Sequence, residues 1–549
     1  MDSTELKQRY DVQRSERRTV EGVWDLIEKF IMPYRGKMFD EQQSETSIEW
    51  RRREIYDGTA ILAAQNLASS LHGSMTPPSM QWFHFRFRNE ILNRNVEAMT
   101  WLELCAIECY NALIDSNFSL EANEAYLDIV GFGSAIVVEE VKNENEWEGL
   151  VFQSVPIREC FFEQGFDGRV IRLYRRYQWT PGQIFDKFGE ATPEDIKKKA
   201  QSAQSSQERE EIIFCIFRRE AIPETAGSPD MKVIPARDRP WGYKYIRYKD
   251  ATCLGEEGGY YEMPAFIPRW RKTSGSKWGH SPAMIALSDV LTINQLVQII
   301  FKAAEKAIDP ANVTTERGLL SDLDLGSGGL TVVRNIDDLK PYNSGANFSV
   351  GELNREKLQN QINQAFYVDQ LQLKESPAMT ATEVQARMTL MQRLIGPTLA
   401  RLQNDFLDPM VQRTFRILWR AGKLPEIPEI VEENQAELDI EYVSPMYQAQ
   451  RSAQVGAIQQ WVGFLATLQP VQEDILDNVN FDQISNISAR LLGVPAEAQA
   501  TTEQMDKTRK SREADKKRQQ LLETGMAMGQ TAKDVAQATK ATAQAETVQ

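Results

Sequence analysis

The sequence has little of what enzymes use to do chemistry. Its 549 residues include only three histidines, His72, His84 and His280, which are scattered and form no HExxH or Cys/His cluster of the kind that holds zinc. GxSxG is absent, so no nucleophile elbow is offered. There is no GxxxxGKS or GxxxxGKT either: GFGSA (131–135) and GSGG (326–329) lack the lysine and hydroxyl that hold phosphate and magnesium, and read as tight turns. Five cysteines (Cys105, Cys109, Cys160, Cys215, Cys253) contain no CxxC pair. Cys105 and Cys109 lie four apart on a predicted helix but have no partner ligands, so all five read as buried free thiols in a reducing cytosol. The opening MDSTELKQRY has no apolar run, and no signal peptide is expected. The longest apolar stretch, near 285–301, is broken by Asp289, Asn294, Gln295 and Gln298, so no membrane span is expected. Positive charge is outweighed as well. With 63 basic against 78 acidic residues the net charge is −15, whereas a protein that reads DNA sequence usually carries a basic stripe. Any contact with DNA is therefore expected to be non-specific and non-adhesive, and no cofactor or metal is expected.

What is present is a long globular chain, 42% hydrophobic and 26% charged, enough for two to four domains. Residues 3–130 read as mostly helical. Val20, Val23, Trp24, Ile27 and Phe30 or Ile31 follow helical spacing up to Pro33, a second helix is predicted from Ile48 to Leu71, and a third from Asn95 to Asp115. TPPSMQWFHFRF (76–87) is extended. From Gly131 to Trp270 the period changes to that of strands: SAIVVEEV (134–141), GLVFQSV (149–155), RVIRLYRRY (169–177) and EIIFCIFR (211–218), with a short helix in TPGQIFDKFG (180–189) and a polar loop or frayed helix end at 200–210. Aromatic and basic residues interleave in RLYRRYQW (172–179) and WGYKYIRYK (241–249). A single-strand stacking surface has that pattern, but so do half-buried strands, and the strand reading is preferred.

The centre is the most informative region. Ser281-Pro282 is an N-cap followed by proline at the first helical position, and opens a helix that Asp309-Pro310 ends, about 40 Å long. A Gly-rich stretch (322–335) holds a predicted strand at Leu330–Arg334. Ser349-x-x-Glu352 reads as a capping box opening a helix to Asp369, polar nearly all round. After QLQLKESPAM (370–379), Thr380-x-x-Glu383 opens a third long helix. Its stripe of Val384, Met388, Met391, Ile395, Leu399, Leu402, Phe406 and Met410 implies a rod of roughly 60 Å to Ala421, kinked at Gly396-Pro397. Such rods suit an assembly in which they pack side by side. A strand (437–443), further helices and an Ala/Gln/Thr/Lys-rich tail (500–549) follow.

Four segments, IYDGTAILAAQNLASSLHGSMTPPSMQWFHF (55–85), SNFSLEANEAYLDIVGFGSAIVVEE (116–140), WGHSPAMIALSDVLTINQL (278–296) and MTATEVQARMTLMQRLIGPTLARLQNDFLDPMVQRTF (379–415), resemble the head-to-tail connecting (portal) proteins of short-tailed bacteriophages, in the family's order. The resemblance covers most of 15–425 and weakens after Leu424. It implies a mainly α fold with α+β parts, the phage portal fold of wing, stem, clip and crown, closed into a ring around a central channel. Laid on this chain, it gives a wing at 1–280, a first stem helix at 281–308, a clip at 309–350, a second stem helix at 351–369, a tunnel loop at 370–379, a wing spine and return at 380–443, and a crown with tail at 444–549.

The implied function is non-enzymatic. A ring of twelve copies at one capsid vertex would pass double-stranded DNA during packaging and ejection, and would dock the terminase large subunit, tail adaptors, scaffolding and capsid proteins, with assembly in the host cytoplasm. Twelve copies at −15 would carry about −180, a field that keeps sliding DNA from sticking. Within that layout Lys374 and Glu375 are the candidate DNA-facing residues of the tunnel loop, and Asn360, Gln361 and Gln364 the candidate channel-lining residues of the stem. Two other readings stay open. One is a metal-dependent nucleic-acid-processing enzyme using loop carboxylates such as Asp322/Asp324 and Asp337/Asp338; the other is a structural scaffold protein without a channel.

Overall fold

In the computed structural model the first apolar stripe becomes α1 (Ser3–Phe30), whose buried positions Leu6, Tyr10, Gln13, Arg17, Trp24 and Ile27 share one face; Val23, expected in that stripe, is turned outward. The structure describes residues 1–35, 54–89, 91–143, 147–202, 207–219, 234–273, 275–308, 312–314, 332, 339–341, 348–368, 395–433, 438–442 and 445–468, with short pieces between 479 and 517. They divide into two compact units. One comprises Met1–His84, Leu104–Pro425 and Ile440–Gln450; the other comprises Phe85–Glu103, Glu426–Asp439 and Arg451–Gln549.

The larger unit holds both main sheets. Strands β4 (Cys160–Gln164), β5 (Val170–Trp179), β6 (Glu210–Arg218), β7 (Trp241–Arg247) and β8 (Cys253–Tyr260) form an antiparallel meander in chain order, with Tyr174 opposite Cys215 and Cys215 opposite Lys244. Alternation sends Tyr174, Ile213, Cys215 and Phe217 to one face, where Leu6 and Tyr10 of α1 complete the core. The other face takes Ile212 and Leu254 against Ile184 and Ile196 of two short helices, α5 (Pro181–Phe188) and α6 (Glu194–Gln201). Thr180 opens the first of these with a full capping box. A second sheet, ordered β3-β2-β9, pairs β2 (Ile136–Val141) with β3 (Leu150–Val155) and β9 (Ala265–Phe266).

Helices α2 (Thr59–Met75), α3 (Val96–Ile114) and α4 (Phe118–Phe132) come before these sheets; α7 (Pro282–Ile308) and α8 (Phe348–Ala365) follow them. The second predicted helix starts later than expected. Residues 55–58 are not helical, because the Asp57 side chain accepts the Thr59 amide at 2.9 Å and sets the first turn there; residues 48–53 lie outside the description. It also runs past His72-Gly73 to Met75. Helix α8 begins at Phe348, so Ser349 lies inside it rather than capping it. It ends at Ala365 instead of Asp369, where Tyr367 turns left-handed (φ 59°).

The carbonyl that Pro397 would displace belongs to residue 393, so the kink expected there lies partly outside the described residues. Residues 395–402 are helical through Gly396-Pro397, and the irregular turn is a π-helical one at Gln403–Leu407, leading into α9 (Asp408–Arg420). Pro409 accounts for the widened turn: it has no N–H to donate, and its ring needs room at the carbonyl of residue 405 inside that turn. The described part of the stripe, Ile395, Leu399, Leu402, Phe406 and Met410, is buried as expected. Of the cysteines, Cys105, Cys109, Cys160 and Cys215 are buried and Cys253 is half-buried; all are free. In the Gly-rich central region Asn312–Thr314 (β10) pairs antiparallel with Leu339–Pro341 (β11). The predicted strand at 330–334 lies, apart from Val332, outside the described residues.

One junction ties these parts together. Gly133 ends α4 in the left-handed region (φ 80°), its N–H bonded to Ile129 O, so GFGSA is the tight turn expected of it. Beside it, Gly133 O accepts from Trp270 N at 2.9 Å, Ser134 Oγ accepts from Gly279 N at 2.9 Å, and Ser281 Oγ donates to Gly131 O at 2.7 Å. Trp24 of α1 closes the knot, its indole N–H donating to Phe132 O and its ring edge-on to Trp278 at 5.0 Å. The two backbones are so close that a Cβ on Gly279 would lie 1.9 Å from Gly133 O, and one on Gly133 2.3 Å from Gly279 O.

In the smaller unit, Asn93 brackets Phe87 through two side-chain bonds to its backbone, and Asn95 caps α3 by accepting from Ala98 N at 3.0 Å. Helix α10 (Glu429–Glu433) belongs to this unit, while β12 (Leu438–Tyr442) and α11 (Pro445–Leu468) continue across the division of the chain. Gly279→Ala is expected to lower the thermal unfolding midpoint by an amount equivalent to at least about 2 kcal/mol, since the clash is with backbone rather than with a movable side chain. Gly73→Ala, at an exposed helical position with open space, should leave the midpoint unchanged or raise it. Differential scanning calorimetry of the two variants makes the comparison.

Candidate functional site: the paired central helices and their anchors

Helix α7 is 27 residues long and starts as predicted, with Ser281 Oγ accepting from Met284 N at 3.0 Å. Its C-terminal part meets the N-terminal part of α8 at short range: a Cβ on Gly351 would sit 3.2 Å from Ile300 Cδ1, so the glycine lets the two helices approach. By length and apolar content α7 would pass for a membrane-crossing helix, and 33% of its most apolar stretch is buried within the chain. The buried face carries Ala286, Val290, Ile293, Asn294 and Val297.

Asn294 is the pin that composition alone does not reveal. Its Oδ1 accepts from the backbone amides of Tyr56 (2.8 Å) and Asp57 (3.3 Å), and its Nδ2 donates to Val290 O at 2.8 Å. The same turn reaches the other helix, because Gln359 Nε2 of α8 donates to Asp57 Oδ2 at 2.9 Å, while Gln298 Nε2 of α7 donates to the Tyr56 hydroxyl at 3.2 Å. The turn before α2 thus holds both long helices by hydrogen bonds whose donors and acceptors are mutually satisfied, which makes burying the amide affordable. The one sequence signal was that Asn294 falls on the apolar side of the helical run, in line with Val290 and Val297.

The three stem candidates come together. Asn360, Gln361 and Gln364 are all exposed on α8, turned away from the buried Ile362 and Phe366. A row of neutral amides can hydrogen-bond water or phosphate without holding a polyanion by charge. The tunnel-loop candidates Lys374 and Glu375 lie outside the described residues, as do the acidic pairs Asp322/Asp324 and Asp337/Asp338. Among the described residues no group of three or more His, Cys, Asp or Glu side chains could hold a metal ion. His72 is half-buried with Nε2 3.2 Å from Ser119 Oγ, and burial lowers its pKa.

The interleaved aromatic-basic segments are strands β5 and β7. Their rings on the face covered by α5 and α6 pack on one another, Tyr177 on Trp179 at 4.5 Å and Trp179 near Tyr245 at 5.9 Å, with Lys187 over Tyr245 at 4.4 Å. Arg172 is buried and paired with Glu163 at 3.0 Å. Rings already occupied with one another and with a lysine support the strand reading of both segments.

A second anchor fixes α9 to the β3-β2-β9 sheet, and sequence reading did not find it. Strand alternation turns Glu139 of the IVVEEV run inward with Val137, completely buried. Its Oε1 accepts from Thr414 Oγ1 at 2.8 Å, while Oε2 lies 3.6 Å from Arg413 Nε and accepts no hydrogen bond among the described residues. Arg413 also donates to the Glu262 carbonyl (3.0 Å) and carboxylate (3.3 Å), and Arg420 grips the Glu262 carboxylate with both terminal nitrogens at 2.6 and 2.9 Å. Burial pushes the Glu139 carboxyl up to about 7; Arg413 and the Thr414 hydrogen bond oppose this, and Glu262 adds to it.

The sequence is similar to portal proteins of bacteriophages. The chain matches the family described as bacteriophage head to tail connecting protein over residues 3–499. It is 27% identical over 524 residues to the probable portal protein of Bordetella phage BPP-1, covering 92% of this chain and 90% of that protein. It is 26% identical over 538 residues to the portal protein of Salmonella phage epsilon15, covering 95% and 93%. A solved structure, the neck of an empty GTA particle computed with C6 symmetry, superposes with a TM-score of 0.36 at 11% identity, over 78% of this chain and 94% of that one.

The Glu139 cluster sets a pH dependence with a definite sign. A carboxyl whose folded pKa is raised favours the fold when protonated, so that stability is fully present below the unfolded value of 4.5 and is lost as pH rises through about 7. Removing the titration with Glu139→Gln, which keeps the acceptor for Thr414, should flatten the fall in unfolding midpoint between pH 4.5 and pH 7.5. The wild-type fall attributable to this group is on the order of 3 kcal/mol. Parallel slopes for the two proteins over that range would show that Glu139 does not titrate there.

Proposed function

The chain belongs to the bacteriophage head-to-tail connecting protein family, and from that premise we propose how its parts conduct DNA. It is a portal protein, a ring-forming virion component at the head-to-tail connection of the capsid vertex. The observation that carries this reading is the family match across nearly the whole chain.

In the proposed layout residues 1–280 form the wing, α7 and α8 the two stem helices, the segment with β10 and β11 the clip, 370–379 the tunnel loop, the helical stretch ending at Arg420 the spine, and 444–549 the crown and tail. The amides of Asn360, Gln361 and Gln364 face the passage, where they offer hydrogen bonds without net charge. Each charge a protein neutralises on DNA adds salt-dependent affinity, and a conduit works best with few such contacts. Twelve copies close the ring. The packaging ATPase docks on the clip during filling and tail adaptors replace it afterwards; force comes from that partner, and ring assembly takes place in the host cytoplasm.

Negative-stain images of the purified chain should show rings with a central hole; a population of monomers under every condition tried would overturn the reading. Lys374→Glu is expected to leave ring assembly intact while reducing packaged or retained DNA several-fold, measured by protection of the genome from nuclease in assembled particles. Unchanged protection would make Lys374 an ordinary surface charge.

A further inference from the structure

Two exposed helix faces of the larger unit carry almost no charge. Helix α2 contains no Asp, Glu, Lys or Arg at all, and its exposed face presents Leu62, Gln65, Asn66, Ser69 and Gly73. On α7 the sole charged residue between Pro282 and Phe301 is Asp289, and the exposed face presents Ile285, Ser288, Thr292, Gln295 and Ile299. Leu62 is 62% exposed, Ile285 50% and Ile299 54%. Each set follows i, i+3, i+7 spacing on the side of its helix opposite the buried residues, so each is a continuous face several turns long. In a chain that is 26% charged, solvent-facing helices ordinarily carry Lys and Glu. Depletion of charge at exposed positions is the compositional mark of the centre of a protein interface.

We infer that the outward face of α7 in one copy packs on the outward face of α2 in the next, so that these two helices are the two halves of the contact that closes the ring. This rests on the portal reading and deepens it by naming the surfaces. A ring needs a heterologous contact, in which two different patches on one molecule complement each other. The described residues of the larger unit include two such patches, one raised by branched side chains (Ile285, Ile299) and one low in profile (Ser69, Gly73), where a Cβ added at Gly73 meets nothing within 4 Å. Neutral polar groups on both, Gln65 and Asn66 against Thr292 and Gln295, supply hydrogen bonds without the desolvation cost of buried charge. A lipid surface fits α7 less well. Its exposed face places Ser288, Thr292 and Gln295 between Ile285 and Ile299, and its other face is committed to the protein interior through Asn294.

The test uses the full-length chain. Gln65→Arg with Ser69→Arg loads the α2 face with charge, and Thr292→Arg with Gln295→Arg loads the α7 face. By native mass spectrometry each double variant should lose rings at least ten-fold and stay monomeric, with the circular dichroism of the wild type. Mixed in equal amounts, the two variants should form a dimer and stop, because each retains one intact half. Rings persisting in either variant would overturn the inference, as would self-dimers of one variant alone, which would mean that like faces pair.

A second measurement does not depend on tolerance of charge. Ser69→Cys combined with Gln295→Cys in one chain, treated with a flexible bismaleimide, should give a ladder of cross-linked multimers, while each single cysteine should give none above the five native thiols. Assembled rings without a ladder would place the contact elsewhere. Flotation of the wild type with phosphatidylcholine vesicles, abolished by Thr292→Arg with Gln295→Arg while rings remain, would assign α7 to lipid instead. If the wild type forms no rings at all, the portal reading itself fails, a result distinguishable from rings that ignore these faces.

Discussion

The close approach of two backbones at Gly133 and Gly279 is the constraint on which the larger unit depends. Helix α4 ends there, strand β2 leaves from there, and the N-cap of α7 is tied to it through Ser281 and Gly131. Trp24 brings in the long N-terminal helix, and Trp278 links the knot to Phe162 of the five-stranded sheet at 4.5 Å. Neither glycine can carry a side chain without displacing the other's carbonyl. The junction is therefore a fixed point from which the direction of α7 follows. For a protein that must hold long helices at a set angle to its sheets, a stop made of backbone is stiffer than one made of side chains, because it has no rotamers to exchange.

Around that fixed point the unit uses buried polar groups sparingly and at places where two elements must register. Asn294 with Tyr56, Asp57 and Gln359 joins three helices; Glu139 with Arg413, Thr414 and Glu262 joins a helix to a sheet. Apolar packing is non-directional and tolerates sliding by a turn, whereas an amide or carboxylate that must find its partner does not. These groups lower the stability available from burial and raise the specificity of the arrangement. A subunit that serves in a closed ring gains from that exchange, since small errors of angle accumulate around the circle.

Electrostatics gives the same picture at larger scale. The chain is acidic overall, helices α2 and α7 show nearly neutral faces, and among the described residues of α8 the exposed channel candidates are amides rather than lysines. Basic side chains such as Arg172, Arg247, Arg269 and Arg413 are instead drawn inward and paired with carboxylates. A large basic count is thus compatible with a surface that holds DNA weakly.

Periodicity settled most elements before any coordinates. The strands 134–141, 149–155, 169–177 and 211–218, the short helix in TPGQIFDKFG (180–189) and the Ser281 start of α7 are all local patterns, and local patterns depend on residues a few positions apart. The boundaries that moved did so for reasons that are also local but compete. Asp57 captures the Thr59 amide and delays a helix, and Pro409 widens the turn at Gln403–Leu407 that the sequence pattern alone reads as regular helix. The amides Asn360, Gln361 and Gln364 were legible as a polar face because helical spacing places them together. Absent catalytic motifs and the acidic balance were equally open to reading, being properties of composition.

Only the tertiary structure decided which polar residues are buried and what they hold. Nothing in IVVEEV tells Glu139 from Glu140 until the β2 strand is paired and one of its faces is covered by α9, and nothing in an apolar helix says that Asn294 will meet amides more than two hundred positions earlier in the chain. Likewise Gly133 and Gly279 are ordinary turn glycines until the fold brings them together. Sequence spacing encodes the shape of each element, because helix and strand periods are short. Which elements meet, and therefore which groups lose their water, is set by long-range packing that no local window contains.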